Sequence, residues 1–183
     1  MEYKIRIENI VASGNLGTFV PLHQMVKKVE GVEYEPETFP GLVLRMKNPK
    51  SAALIFSSGK IVCTGTRTKS DLKKAVNNII KAVRKAGVKV PRNIKVQVEN
   101  VVASTKIDAR LNLSKIALEF ENSEYEPETF PGLVLRMKNP NVAFLLFSSG
   151  KIVCTGGRKR KEIEIAIEKL IKSLKKIKAI EKI

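Results

Sequence analysis

The chain has 183 residues, 43% of them hydrophobic, enough to bury a core as one domain or two small ones. Its 34 Lys and Arg against 18 Asp and Glu leave a formal charge of +16, which favours polyanionic partners, nucleic acid first, although a lysine-rich surface also serves solubility alone. No run reaches the roughly 18 apolar residues of a membrane span, MEYKIRIENIV lacks a signal-peptide core, and two cysteines with one histidine supply neither a zinc site nor a Cys/His catalytic pair, so a soluble, intracellular chain without metal or cofactor is expected.

Residues 4–11 alternate as a strand, and Phe19, Leu22, Met25, Val26 and Val29 recur at helical spacing, which predicts a helix within 18–30. His23 falls in that stretch and is expected to be structural or superficial, because a catalytic histidine needs partners in defined roles. Short β-rich runs follow at 32–35, 42–47, 52–57 and 60–64, separated by FPG, NP and SSG, which read as turns between antiparallel neighbours. Residues 69–86 carry Leu72, Ala75, Val76, Ile79, Ile80 and Val83 as a stripe among lysines, a helix that needs a sheet face to cover. Residues 87–92 then read as a linker.

The same order recurs. EYEPETFPGLVLRMKNP at 33–49 returns at 124–140, FSSGKIVCTG at 56–65 returns at 147–156, and KIRIENIVAS at 4–13 aligns with KVQVENVVAS at 95–104, all at an offset of 91 residues. Cys63 and Cys154 share a repeat position and read as buried packing residues; the second closing helix is Glu162 to Ile177. The period is too long and the copy number too low for a solenoid. The chain therefore reads as two tandem repeats, 1–91 and 92–183, each with about five strands, paired into one α+β body.

If helices cover one sheet face, alternation predicts a polar opposite face. The opposite positions are instead Val43, Arg45, Leu54, Phe56, Ser58, Lys60, Val62 and Thr64, and in the second copy Val134, Arg136, Leu145, Phe147, Ser149, Lys151, Val153 and Thr155. An exposed apolar patch of that extent marks an interaction surface, while a second layer or a partner subunit covering both faces gives the same pattern. Thr38-Phe39-Pro40-Gly41 places an aromatic at a stiff, tight turn, and Phe130 repeats it; each either projects beside Phe56 or Phe147 or folds back on the core.

The duplicated EYEPETFPGLVLRMKNP and FSSGKIVCTG blocks, with the paired NIVAS and NVVAS, closely resemble the hallmark segments of the TATA-box-binding protein family, archaeal branch, over about residues 4–177. The resemblance implies a saddle: a ten-stranded curved antiparallel sheet whose concave underside meets DNA, with four helices on the convex face. It also implies minor-groove binding with a bend of roughly 80°, a property of the family and not one read from this chain. On that likeness Phe39 with Phe56, and Phe130 with Phe147, are the wedges that unstack a base step at each end of the site. An apolar surface of Val11, Leu54, Val62, Val102, Leu145 and Val153, with Asn9, Thr64, Asn100 and Thr155 as its few hydrogen-bonding members, tolerates the acceptors of A·T pairs and leaves the guanine amino group unpaired. Arg45, Ser58, Lys60, Arg136, Ser149 and Lys151 match positions along the sugar-phosphate backbone.

The acidic loop of the second repeat, with Glu126 and Glu128, is implied as the dock for transcription factor B, which brings RNA polymerase indirectly; Glu35 and Glu37 are its twins. The implied role is general transcription initiation at TATA-box promoters, in the cytoplasm on the chromosomal DNA of the nucleoid, with no enzyme activity. Since the two loops are identical, orientation on DNA must come from other differences between the halves or from the partner. The chain ends on the basic stretch Lys169 to Lys182, where many archaeal members end on an acidic tail. Three other readings compete. An enzyme lacks a base, nucleophile or metal set; an RNA-binding sheet lacks its glycine-rich aromatic signature; a scaffold that has lost DNA binding sits poorly with the retained Asn pair and all four Phe.

Overall fold

The computed structural model of the chain describes residues 1–91 and 93–183; Arg92, the last residue of the expected linker and the first of the expected second repeat, lies outside the described residues. The fold is α+β. Ten strands make one antiparallel sheet: β1 (Arg6–Asn15), β2 (Val32–Glu33), β3 (Leu42–Lys47), β4 (Lys50–Ile55), β5 (Lys60–Thr66), β6 (Val96–Lys106), β8 (Ser123–Glu124), β9 (Leu133–Met137), β10 (Val142–Leu146) and β11 (Lys151–Gly157). The helices are α1 (Leu22–Lys28), α2 (Lys69–Lys85), α3 (Leu113–Glu119) and α4 (Arg160–Lys176). A short ribbon pairs β7 (Arg110–Leu111) with β12 (Ile180–Glu181).

Contacts divide the chain into two compact units, Asn9–Glu99 and Met1–Glu8 with Asn100–Ile183, so the boundary cuts through β1 and β6. In the first unit the strands hydrogen-bond in the order β2-β3-β4-β5-β1-β6, and in the second in the order β1-β6-β11-β10-β9-β8.

Burial follows the alternation read from sequence. In Asn9–Glu99, Leu42, Leu44, Ala53, Ile55, Ile61 and Cys63 are buried under α2, whose stripe Leu72, Ala75, Val76, Ile79, Ile80 and Val83 is buried throughout. Thr68 caps α2 by accepting from the Asp71 N–H at 3.0 Å. Lys159 stands at that position before α4 and makes no side-chain cap; Glu162 instead reaches back to accept from the Arg158 N–H at 3.1 Å. Asn78 on α2 donates to the Asn48 carbonyl at 3.0 Å, and Lys169 on α4 donates to that of Asn139, so each long helix holds the β-turn beneath it. Burial pushes the Cys63 and Cys154 thiols up to about 11 and about 12, which keeps both as neutral packing groups.

The helix expected within 18–30 is confined to Leu22–Lys28. Proline lacks an N–H and biases the residue before it toward extended backbone, so Pro21 admits a helix only after itself. Val20 stands outside the helix, donating its N–H to the Ser57 carbonyl at 2.9 Å, and is buried. Of the predicted apolar stripe, Leu22 and Met25 are buried, whereas Phe19 is 69% and Val26 46% exposed. His23 packs its ring edge against Tyr34, 5.2 Å between centroids, beside β2. β1 extends to Asn15, four residues past the predicted strand end, and the β7/β12 ribbon was not anticipated.

Candidate nucleic-acid interface

In each unit the positions opposite the helices form rows across the strands. Val43, Leu54 and Val62 stand directly opposite one another on β3, β4 and β5, and Ser13 of β1 continues the row. Val134, Leu145, Val153 and Ser104 make the same row in the other unit. The next row is Arg45, Ala52 and Thr64, with Arg136, Ala143 and Thr155 as its twin. Arg45 and Arg136 are exposed and the other row members half-buried, so no second protein layer covers this face among the described residues.

The edge of the patch is shaped by a bulge. Between the pairs Ile10↔Thr66 and Ala12↔Cys63, β5 spends Thr64 and Gly65 against the single Val11 of β1. Gly65 adopts φ +101°, a region that L side chains avoid, and its N–H then meets Asn9 Oδ1 at 2.6 Å. That bond fixes the amide: the oxygen is occupied, and Nδ2 donates one hydrogen to Thr64 Oγ1 at 3.0 Å. Among the described residues the second Nδ2 hydrogen has no protein acceptor. Asn100, Gly156 and Thr155 reproduce the arrangement at 2.7 and 3.0 Å.

The loop aromatics project. Thr38 and Phe39 donate their N–H groups to the Glu35 carbonyl at 3.0 and 2.9 Å, closing a turn that carries Phe39 out beside Phe56. The rings meet edge to face, 5.9 Å between centroids at 68°; Phe130 and Phe147 stand 6.1 Å apart at 71°. Phe39 is 41% and Phe130 45% exposed, so neither folds back on the core. Gly41 does more here than tighten a turn. A Cβ there would lie 2.8 Å from Phe39 Cε1 and 3.0 Å from Phe56 Cε1, and Gly132 is equally confined, so glycine makes the space in which each pair forms.

Cations and hydroxyls border the patch. Arg45 lies 3.5 Å from Glu33 Oε1 with both side chains two-thirds exposed, a pair too solvated to hold the guanidinium against a competing anion. Ser58 and Ser149 accept from the Lys60 and Lys151 N–H groups at 3.4 Å across the hairpin turns, where all four residues are exposed. Glu126 and Glu128, like Glu35 and Glu37, are exposed on the loops that carry the phenylalanines.

Two features of the face went unread in the sequence. Ser13 and Ser104 belong to the apolar rows, and their hydroxyls donate to Glu99 at 2.6 Å and Glu8 at 2.8 Å. Continuing the alternation of Asn9 and Val11 two residues past the predicted strand end would have found Ser13.

The chain is thus a duplicated α+β protein that presents in each copy a half-exposed apolar row, an oriented amide, a projecting aromatic pair and marginal cations on its sheet. The family model for Transcription factor TFIID (or TATA-binding protein, TBP) matches residues 4–86 and 95–177. The TATA-box-binding protein of Methanobrevibacter smithii is 44% identical over 176 residues, covering 96% of this chain and 97% of that one, and that of Archaeoglobus fulgidus is 47% identical over 95% and 96%. The solved Methanococcus jannaschii TBP superposes with a TM-score of 0.88 at 42% identity, over 94% of this chain and 99% of that one. The chain belongs to the TATA-binding protein family.

Proposed function

We propose that this protein binds A·T-rich TATA-box DNA through the minor groove, kinks it with its two phenylalanine pairs, and recruits transcription factor B through Glu126 and Glu128, and RNA polymerase through that factor, to begin transcription. Residues 1–91 and 92–183 are the two TATA-binding repeats of this reading. The observation that carries it is the duplicated apolar row flanked by one oriented asparagine and one projecting phenylalanine pair. An A·T minor groove presents acceptors only, which suits the free Nδ2 hydrogens of Asn9 and Asn100; a guanine amino group would meet valine and leucine and lose its hydrogen bond. Phe39 with Phe56, and Phe130 with Phe147, are the wedges. Arg45, Lys60, Arg136 and Lys151, aided by Ser58 and Ser149, take backbone phosphates and fix position without reading bases. Among the described residues no helix is long and apolar enough to cross a membrane, in keeping with action on chromosomal DNA.

The test is a bending-sensitive FRET titration of a short TATA-like duplex against a G·C-substituted control over a salt series. The expected outcome is bending of the A·T duplex alone, with log K falling against log salt at a slope of about −3.6 for four phosphate contacts. Equal affinity for both duplexes without a bend would leave a generic basic binder and end this reading.

Gly41→Ala probes the support of the wedge. The ring edges are the free ends of side chains, so the added methyl turns them aside and removes from the free fold an edge-to-face contact of about 0.5–1.5 kcal/mol. The measurement is affinity for the TATA-like duplex beside a thermal melt. Weaker binding, from displacement of the wedge, with a melting temperature lower by about 1–6 °C is expected.

A further inference from the structure

The register that aligns the apolar rows also sets two lysines face to face. Lys106 on β6 stands directly opposite Lys151 on β11, two residues along from the Ser104↔Val153 pair and therefore on the same half-exposed face. Directly opposed residues on antiparallel strands hold their Cβ atoms about 4.5–5.5 Å apart, and like charges so placed are destabilising. Both side chains are exposed and, among the described residues, neither makes an ion pair. The neighbouring acids do not relieve them. Glu8 accepts from Ser104 and lies 3.5 Å from Arg6, and among the described residues Asp108 makes no ion pair.

The other unit is built differently at this position. Its pair is Asn15↔Lys60, one cation in place of two, and Asn15 Oδ1 is taken by the Gly17 N–H at 2.8 Å. The loops and apolar rows of the two copies match closely, so this pair is one charge difference between their surfaces.

We infer that Lys106 and Lys151 form a clamp on two adjacent backbone phosphates of the bound duplex, one contact more than the pair Asn15 and Lys60 supplies in the first repeat. Each ammonium is a compact charge on a flexible stem, so the two reach separate phosphates from opposed strands, and those phosphates offset the repulsion present in the free protein. Lys106 is thereby a positioning residue that adds to the cations proposed above. The inference rests on the reading of this face as a DNA-binding surface.

The test exchanges the two designs in the full chain. Lys106→Asn gives the second repeat the pair of the first, and Asn15→Lys does the reverse. Affinity for the TATA-like duplex and its G·C control is measured by fluorescence anisotropy over a salt series, with a melt of each variant. The clamp predicts a salt slope shallower by about 0.9 for Lys106→Asn and steeper by about 0.9 for Asn15→Lys, or about 8-fold in K across a tenfold change in salt. The A·T preference of both variants stays as in the unsubstituted chain, because phosphate contacts carry no base information. The melting temperature of Lys106→Asn equals or exceeds the parent's. An unchanged slope in Lys106→Asn, with A·T preference intact in the parent, overturns the clamp and leaves the proposed function standing. No A·T preference in the parent overturns the proposed function, whatever the slopes.

Discussion

Replacing Phe39 or Phe130 with alanine is expected to abolish the bend at that end of the site and to weaken binding of the TATA-like duplex by roughly 2–4 kcal/mol, about 30- to 1,000-fold in Kd. Each ring already stands nearly half exposed beside its partner, so entering a base step needs no refolding of the loop. On the proposed wedge reading the ring supplies apolar contact to the bases it unstacks, because parting a step costs a few kcal/mol. Alanine keeps the turn, whose hydrogen bonds to the Glu35 and Glu126 carbonyls are made by the backbone, and removes only the inserted surface. Bend angle by FRET and Kd by anisotropy check this together. A variant that keeps the parent bend sinks the wedge, even if its affinity falls.

Phe144→Ala is expected to be the most damaging single change to the fold, at about 3–5 kcal/mol, against a total stability of roughly 5–15 kcal/mol for a typical protein. Phe144 is fully buried on β10 between Leu135 and Cys154. Its twin is Ala53, equally buried between Leu44 and Cys63. The second repeat also carries Ile167 and Leu174 on α4 where α2 has Val76 and Val83, so its core is assembled from larger side chains. Alanine at 144 therefore leaves a ring-sized cavity that neighbours fitted to phenylalanine do not fill, although alanine is native at position 53. Urea denaturation followed by circular dichroism should give a lower midpoint at an unchanged m value. A loss below about 1 kcal/mol would mean that the site collapses around the smaller residue. Because position 144 faces the helices, the folded variant should keep its preference for A·T DNA.

The face itself was legible because a strand has a period of two. Once Ile61 and Cys63 are assigned inward, Lys60, Val62 and Thr64 have nowhere else to point, and the same holds for Leu54 between Ala53 and Ile55. Alternation leaves open whether a second layer covers both faces, and only the half-exposure of the rows answers that. The first helix falls within its expected span but is shorter, for a local reason. Phe19 fits the helical period, but Pro21 biases the residue before it away from helix, and that backbone constraint outranks apolar spacing. The role of Gly41 was hidden because nothing local says that two rings, from residues 39 and 56, converge over its Cα.

The sequence by itself determined the duplication, the strand and helix periods, the buried stripe of α2 and the identity of the loop aromatics, because each rests on spacing within one element or on exact recurrence at a fixed offset. The tertiary structure decided which residues meet across strands. The row of Val43, Leu54, Val62 and Ser13, the amide of Asn9 turned by the bulge at Gly65, and the opposition of Lys106 to Lys151 all depend on register. Register is set by the turns and bulges of a whole sheet, and shifting it by one residue turns every side chain to the other face, so no single segment of this chain encodes it.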